Sequence, residues 1–389
     1  MENFQRNTIQ CEIYTNPSKA WLANAWFNLE QRSDANFFLS WLWIGSWLES
    51  FVDDFYVVEA KDLDRTIGLG IISKSVDKFL GIPYKQKYHL HRTGQEELDQ
   101  IWIEYNDFLI DSRYGVEVRD RMLDHIYYQI SKRHALVIGA SKESNFSHIE
   151  ELGLIKRTLW QTKNFSLDLH ALKQENKTLL EHLSRNSRYQ ILRSIKKYQQ
   201  QYGDIRIEKA TDIEKAKKML AIAKPMHLAR WNRHGYKSGF SNQYFMNFHQ
   251  TLIKNGMQSR NIELYHIKAG EHTISVIYNF NYNNHIYFYL CAINYVNTSS
   301  QFKPGLVSHY LLINKAYDEN ISLYDFMGGY SRYKKTFANT EGDLAVNLYE
   351  PRNLWVNMGH LCRDSKLKLK HKAKSNNKIP ELLQSIEML

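Results

Sequence analysis

A strand-rich block that occurs twice, each time framed by helical pattern, sets the tightest limit on how this chain can fold. In the first copy, DFYVVEA (Asp54 to Ala60) and TIGLGII (Thr66 to Ile72) flank the turn KDLDR. In the second, IELYHIK (Ile262 to Lys268) and TISVIYNF (Thr273 to Phe280) flank AGEH. β-Branched and aromatic runs bounded by turn residues read as hairpins. The first block continues with KYHLHR (Lys87 to Arg92), an expected helix from Glu96 to Leu109, and ALVIG (Ala135 to Gly139). The second passes the turn signal Asn283-Asn284 into HIYFYLCAI (His285 to Ile293), then a helix expected from Gly305 to Glu319. There Leu306, Tyr310, Ile313 and Tyr317 recur at helical spacing. SLYDF (Ser322 to Phe326) and DLAVNLYE (Asp343 to Glu350) close it as strands. The pattern predicts one α+β unit used twice at a spacing of about 200 residues, each copy a mixed β-sheet flanked by helices. The expected division is 1–163, 164–352 and a tail over 353–389.

The chain is long enough for such a pair, with 389 residues of which 43% are hydrophobic and 13% aromatic. Only 6 prolines and 18 glycines occur, which excludes a disordered or collagen-like class. Cys11, Cys291 and Cys362 are far apart and odd in number, the pattern of a reducing compartment and not of a disulfide framework or zinc cluster. The 16 histidines form no HxxxH pair with a carboxylate, so no metal is expected. No N-terminal stretch reads as a signal peptide, and the cytoplasm is the expected location. The greasiest segment, Phe37 to Phe51, is too short to span a membrane and contains Ser40, Ser46, Glu49 and Ser50. With Trp43, Trp47 and Phe51 every fourth residue, it reads as a buried helix.

Net charge is +10, which favours anionic partners: nucleic acid, phosphorylated ligands or membrane surfaces. Between Leu361 and Pro380 there are seven basic residues and one acid. Such a tail is either a solvated charge run or an interaction patch.

Three constellations have chemical potential. On the helix Ser187 to Tyr202, Ile191, Ile195, Tyr198 and Tyr202 form a buried stripe, with Arg193, Lys196 and Lys197 opposite. Arg188 lies at the edge of that stripe and needs an anionic partner, either an internal carboxylate or a ligand. Next, Gln301-Phe302-Lys303-Pro304-Gly305 opens a helix after a strand. Proline suits the first helical position, and the N–H groups of Gly305, Leu306 and Val307, with Lys303 beside them, are candidates to cradle a pyrophosphate. Third, Tyr324-Asp325-Phe326-Met327-Gly328-Gly329-Tyr330-Ser331-Arg332-Tyr333-Lys334 places a carboxylate, phenols and cations around a glycine turn. Asp325 is a candidate to handle an amine proton and Lys334 to bind an anion; an Asp325–Lys334 ion pair fixing the loop is the alternative. Gly68-Leu69-Gly70 lies within a strand and is not a dinucleotide loop.

The run LSRNSRYQILRSIKKYQQQYG (Leu183 to Gly203), Arg230-Trp231, Phe240, Lys303-Pro304-Gly305 and YDFMGGYSRYKK resemble the CelD-like acetyltransferase domain of the GNAT superfamily, close to the FemAB-like aminoacyl transferases. WFNLEQRSDANFFLSWLWIGSW (Trp26 to Trp47) and IEYNDFL (Ile103 to Leu109) resemble the N-terminal part of the same proteins. The resemblance implies tandem GNAT-like domains, the first degenerate and the second working. It implies an N-acyltransferase using acyl-CoA, such as acetyl-CoA, and a small-molecule or saccharide amine acceptor, in polysaccharide or cell-envelope biosynthesis. In that scheme Arg188 and Lys303 to Val307 bind the donor, and Trp231, Phe240 and Tyr289 line the acceptor site. Asp325 deprotonates the amine, Tyr333 returns a proton to the thiolate, Lys334 binds charge, and the backbone near Tyr289 to Ala292 supplies oxyanion donors. Cys291, inside a strand, is read as core. The family's phosphate loop carries a second glycine that Lys303 to Val307 lacks. Aminoacyl transfer from tRNA is thus one alternative, and a non-catalytic basic nucleic-acid or anion-binding protein another.

Overall fold

Contacts in the computed structural model divide the chain into two units: residues up to Thr162 together with those from Asp343 onward, and Lys163–Gly342. The structure describes residues 9–352 except 52, 80, 130–133, 233, 234, 236 and 296–298. The basic tail expected over 353–389 lies outside the described residues.

The element order repeats. The first copy runs β1 (Ile9–Thr15), α1 (Lys19–Glu30), α2 (Trp41–Phe51), β2 (Tyr56–Asp62), β3 (Arg65–Phe79), β4 (Ile82–Leu90) and the short β5 (Leu109–Ile110). It ends with α3 (Val116–Gln129), β6 (Ala135–Ser141), α4 (His148–Glu151) and β7 (Ile155–Asp168). Three helices follow: α5 (Leu169–Gln174), α6 (Leu179–His182) and α7 (Arg185–Tyr202). The second copy begins β8 (Ile205–Lys209), α8 (Ile213–Asn232), α9 (Gln243–Gly256), β9 (Ile262–Ala269), β10 (His272–Tyr282) and β11 (His285–Ile293). It closes with α10 (Pro304–Asp318), β12 (Leu323–Gly328), α11 (Arg332–Phe337) and β13 (Thr340–Glu350).

In the first unit β1 to β4 form an antiparallel meander, β6 joins β4 in parallel, and Ala345 to Tyr349 of β13 pair antiparallel with β6. In the second, β8 to β11 form the meander, β12 joins β11 in parallel, and Asn164 to Asp168 of β7 pair with β12. Each unit is therefore a mixed sheet flanked by helices, and the class is α+β. The closing strand of each copy completes the sheet of the other copy's unit.

Local chemistry explains the elements that frame the site. Helix α7 starts at Ser184, whose hydroxyl accepts the Ser187 N–H at 3.2 Å, and stops at Gly203, whose φ of +97° is left-handed. Strands β10 and β11 turn through Asn283 and Asn284, at φ +50° and +61°. Asparagine tolerates the two successive left-handed residues a tight hairpin turn demands. Side chains alternate across the second sheet. Ile277 packs with Ile191 of α7 and Val307 and Leu312 of α10, whereas the ring of neighbouring Tyr278 meets His249 of α9.

The helix expected over Glu96 to Leu109 is absent. That segment holds a single 3-10 turn, Asp99–Ile101, and then loop until β5. Asp99 is buried and its carboxylate accepts the N–H groups of Thr93 at 2.7 Å and Gly94 at 2.9 Å, which pins the chain. Trp102 and Tyr105 sit at φ +54° and +52°, which a right-handed helix excludes. The long helix of this copy is α3. Gly68 lies in β3 because α3 crosses it: a Cβ there would meet Met122 at 2.7 Å and Val118 at 2.8 Å.

Candidate active site

β11 and β12 run parallel but pair only through His285–Leu323, Ile286–Tyr324 and Tyr287–Asp325. Beyond Tyr287 the edge of β11 that faces β12 has no strand partner among the described residues. Both strands change course at this point. Tyr278 pairs with Leu290 while Asn279 pairs with Phe288, so Tyr289 is an extra residue in β11, a bulge that bends the strand. On β12 the register with β7 shifts between Asp325 and Met327. Met327 stands at φ +61°, and the Asp325 carboxylate accepts its N–H at 2.6 Å. This side-chain turn stabilises the kink. The buried Lys334 ammonium donates to the carbonyls of Met327 and Gly328, bracing the kink from α11.

Arg230 from the last turn of α8 is acted on by Cys291 from β11, Tyr295 just beyond it and Tyr333 from α11, all close to where the strands part. The Arg230 guanidinium lies 5.8 Å from the Tyr295 ring centre and reaches the Cys291 thiol. Cys291 and Tyr333 are densely surrounded by protein, yet both keep accessible surface, and Tyr295 is 41% exposed. Groups surrounded by protein but still wetted line a crevice. Its floor is His309 of α10, stacked on Tyr333 at 4.5 Å with 13° between planes and edge-on to Phe288 at 4.6 Å.

Burial sets the protonation states. It holds the Tyr333 phenol well above its ordinary value and raises the Cys291 thiol against the opposing pull of Arg230 and Lys334. It takes His309 down to about 3, with Lys334 and Arg230 adding to the shift. At neutral pH the site thus presents a neutral phenol, a neutral thiol and a neutral imidazole beside two cations.

The turn before α10 is built as its sequence implies, with Pro304 in the first helical turn and no side chain capping the terminus. The Lys303 N–H is tied to Ser194 of α7 at 3.0 Å, which docks the turn. Val307 donates its N–H to the Lys303 carbonyl at 3.0 Å, so the donors left open here are those of Gly305 and Leu306. A Cβ at Gly305 would meet nothing within 4 Å, so the main chain faces open space.

Arg188 is partly buried and has no ion pair among the described residues; Glu181 is the carboxylate that feels its charge. It lies six residues before Ser194, about 9 Å along the helix from the α10 anchor. Trp231, Phe240 and Tyr289 do come together, in a ladder of rings. Trp231 stacks on His227 at 5.4 Å, His227 meets Phe240 at 5.2 Å, and the Tyr289 hydroxyl bonds His249 at 3.0 Å. Phe240 is only 2% exposed and acts as core beneath the site. Sequence reasoning passed over His309 and gave Arg230 no role. A lone histidine on an apolar helix face, or an arginine at a helix C-terminus, reads as structural until the tertiary contacts are known.

Residues 185–335 match the family profile described as an acetyltransferase (GNAT) domain, and this span includes every residue of the crevice. Among solved structures, FemX is similar over 85% of this chain and 96% of its own, with 13% identity and a TM-score of 0.56. L-PGS from Bacillus licheniformis is similar over 90% of this chain and 97% of its own, with 11% identity and a TM-score of 0.51. At these identities the likeness concerns the fold. No curated protein matches by sequence. Within the second unit, residues 185–335 therefore match a GNAT acetyltransferase domain, and the likeness to solved structures concerns a fold of that type. Among the described residues there is no group of three or more metal-ligating side chains, and no helix is long and apolar enough to cross a membrane.

Proposed function

We propose that the second unit transfers an acyl group from acyl-CoA to an amine, with the donor thioester lying along the unpaired edge of β11. The observation that carries this reading is the parallel β11–β12 pair that parts after three residues and leaves a wetted crevice. The residues fit the donor. Gly305 and Leu306 offer unbonded N–H groups at a helix N-terminus, Lys303 adds a cation, and no side chain blocks the approach of a pyrophosphate. When bound, the donor supplies an activated carbonyl carbon.

The acceptor amine attacks that carbon directly, so no protein nucleophile is needed. Negative charge growing on the carbonyl oxygen is met by main-chain donors on the open edge of β11, already oriented before reaction. Tyr333 stays protonated across the physiological range and gives its proton to the departing thiolate, while the proton that the amine sheds as the amide forms returns through water to the phenolate. Asp325 and Lys334 act by holding the kink that keeps the strands apart. Trp231 and Tyr289 support the acceptor side through the aromatic ladder. The first copy is read as a degenerate version of the same fold, and a small-molecule or saccharide amine in cell-envelope assembly as the acceptor.

The test is calorimetric titration of the full chain with acetyl-CoA, followed by thiol release against a panel of amines. Micromolar binding and amine-dependent thiol release are expected. Failure of CoA to bind, with aminoacyl-tRNA raising the melting temperature instead, would sink the acyl-CoA reading.

A further inference from the structure

Arg230 differs from Arg119 and Arg32, two arginines packed to a similar extent that meet carboxylates. Arg119 meets Asp107 at 2.8 Å, and Arg32 meets Asp111 at 3.0 Å. Arg230 is withdrawn from bulk water to a similar extent, yet among the described residues it has no carboxylate partner. Its neighbours are a thiol and two phenols: Cys291, Tyr295 and Tyr333. Burial opposes the charge, and these groups, with none of the strength of an anion, sustain it. The other cation of the neighbourhood, Lys334, is committed to main-chain carbonyls and adds to the positive field.

An arginine can sit at a helix C-terminus merely to complement the dipole. That role needs no enclosure. Here the guanidinium lies over the Tyr295 ring with Cys291 and Tyr333 also near enough to act on its charge, and Tyr295 is itself exposed to solvent. A planar fork of N–H donors meets two oxygens of one anion at once, and a single guanidinium balances the one charge of a carboxylate, whereas a phosphate monoester carries close to two.

We propose that Arg230 is the carboxylate-binding residue of this crevice, so that the acceptor is an amine carrying a carboxylate, such as an amino acid or an amino-sugar acid. The proposal rests on the acyl-transfer reading and deepens it by naming the acceptor class. Cys291 lies on the strand whose open edge would carry the thioester. A carboxylate held at Arg230 therefore brings the amine of the same molecule to the donor carbonyl, and the fixed end converts encounter into orientation.

The experiment uses the full chain, Arg230→Gln and Arg230→Lys, with a set of α-amino acids and amino-sugar acids and the matching carboxamides. Phosphoethanolamine and ethanolamine serve as the phosphate pair. Binding is read by saturation-transfer NMR without any CoA compound, and thiol release is read separately with acetyl-CoA. At least one acid should bind about tenfold or more tightly than its amide. Arg230→Gln should erase that preference, and Arg230→Lys should keep part of it. The proposal is overturned if no acid outbinds its amide, if the preference survives in Arg230→Gln, or if only phosphoethanolamine shows an Arg230-dependent gain. Arg230-dependent acid binding without thiol release would leave the carboxylate site standing and remove the acyl-transfer reading. Thiol release equally fast with amides would do the reverse.

Discussion

Gly305→Val separates the phosphate cradle from the stability of the fold. A Cβ at this position meets nothing within 4 Å, and Gly305 is not among the left-handed glycines, so valine fits the backbone as it stands. Glycine costs a helix about 1 kcal/mol relative to alanine, and valine less, so stability should hold within about 0.5 kcal/mol. Binding should respond quite differently. The isopropyl group would fill the space through which a phosphate reaches the N–H groups of Gly305 and Leu306. Two charge-assisted hydrogen bonds at about 1.5 kcal/mol each amount to about 3 kcal/mol. Affinity for CoA should then fall by about 10²-fold. Titration calorimetry with CoA, and with pantetheine as the control that lacks the pyrophosphate, reads the effect. Wild-type CoA affinity in the folded variant, or an equal loss for pantetheine, would show that α10 does not hold the phosphates.

Tyr333→Phe should lower kcat by about 10²-fold with the KM for the donor nearly unchanged, because the phenol acts on the leaving group; an unchanged kcat removes it from the mechanism. His227, His249 and His309 each sit at about 3 in the fold, down from 6.5, so their neutral forms support stability above pH 6.5 and that support is lost as pH falls toward 3. Each should cost about 1.4 kcal/mol per pH unit near pH 5, visible in urea unfolding at pH 7, 6 and 5 and refuted by a flat profile. Gly68→Ala pushes a methyl group against Met122 and Val118 and should cost about 1–3 kcal/mol by thermal melting, with donor binding intact.

Much of the second unit was legible because its signals are local. His285 to Ile293 is β11 as read, from an unbroken run of β-branched and aromatic residues ahead of a turn. Pro304 marked the start of α10, where a missing N–H costs nothing. The failures came where a distant partner decides. Glu96 to Leu109 has helical composition, but Asp99 spends its carboxylate on the N–H groups of Thr93 and Gly94. What the sequence does not encode for Asp325 and Lys334 is that both bond main chain around a kink that follows no periodicity. Arg230 became informative only once no acid was found beside it among the described residues. The repeat itself could be read, but not which sheet each closing strand would join, since the spacing is the same either way.

The exchange of closing strands has a consequence for how the protein comes off the ribosome. Strand β6 is finished early, yet its antiparallel partner, Ala345 to Tyr349, emerges some 200 residues later. Leu344, Val346 and Leu348 of β13 are almost wholly buried, so the first sheet cannot shield this edge until β13 has been made. Throughout that interval β6 is an exposed template, open to pairing with a neighbouring nascent chain. The N-terminal half is therefore not a module that folds first and waits. Its completion is timed by β13, and a premature stop between α11 and β13 leaves the crevice residues made and the first sheet open.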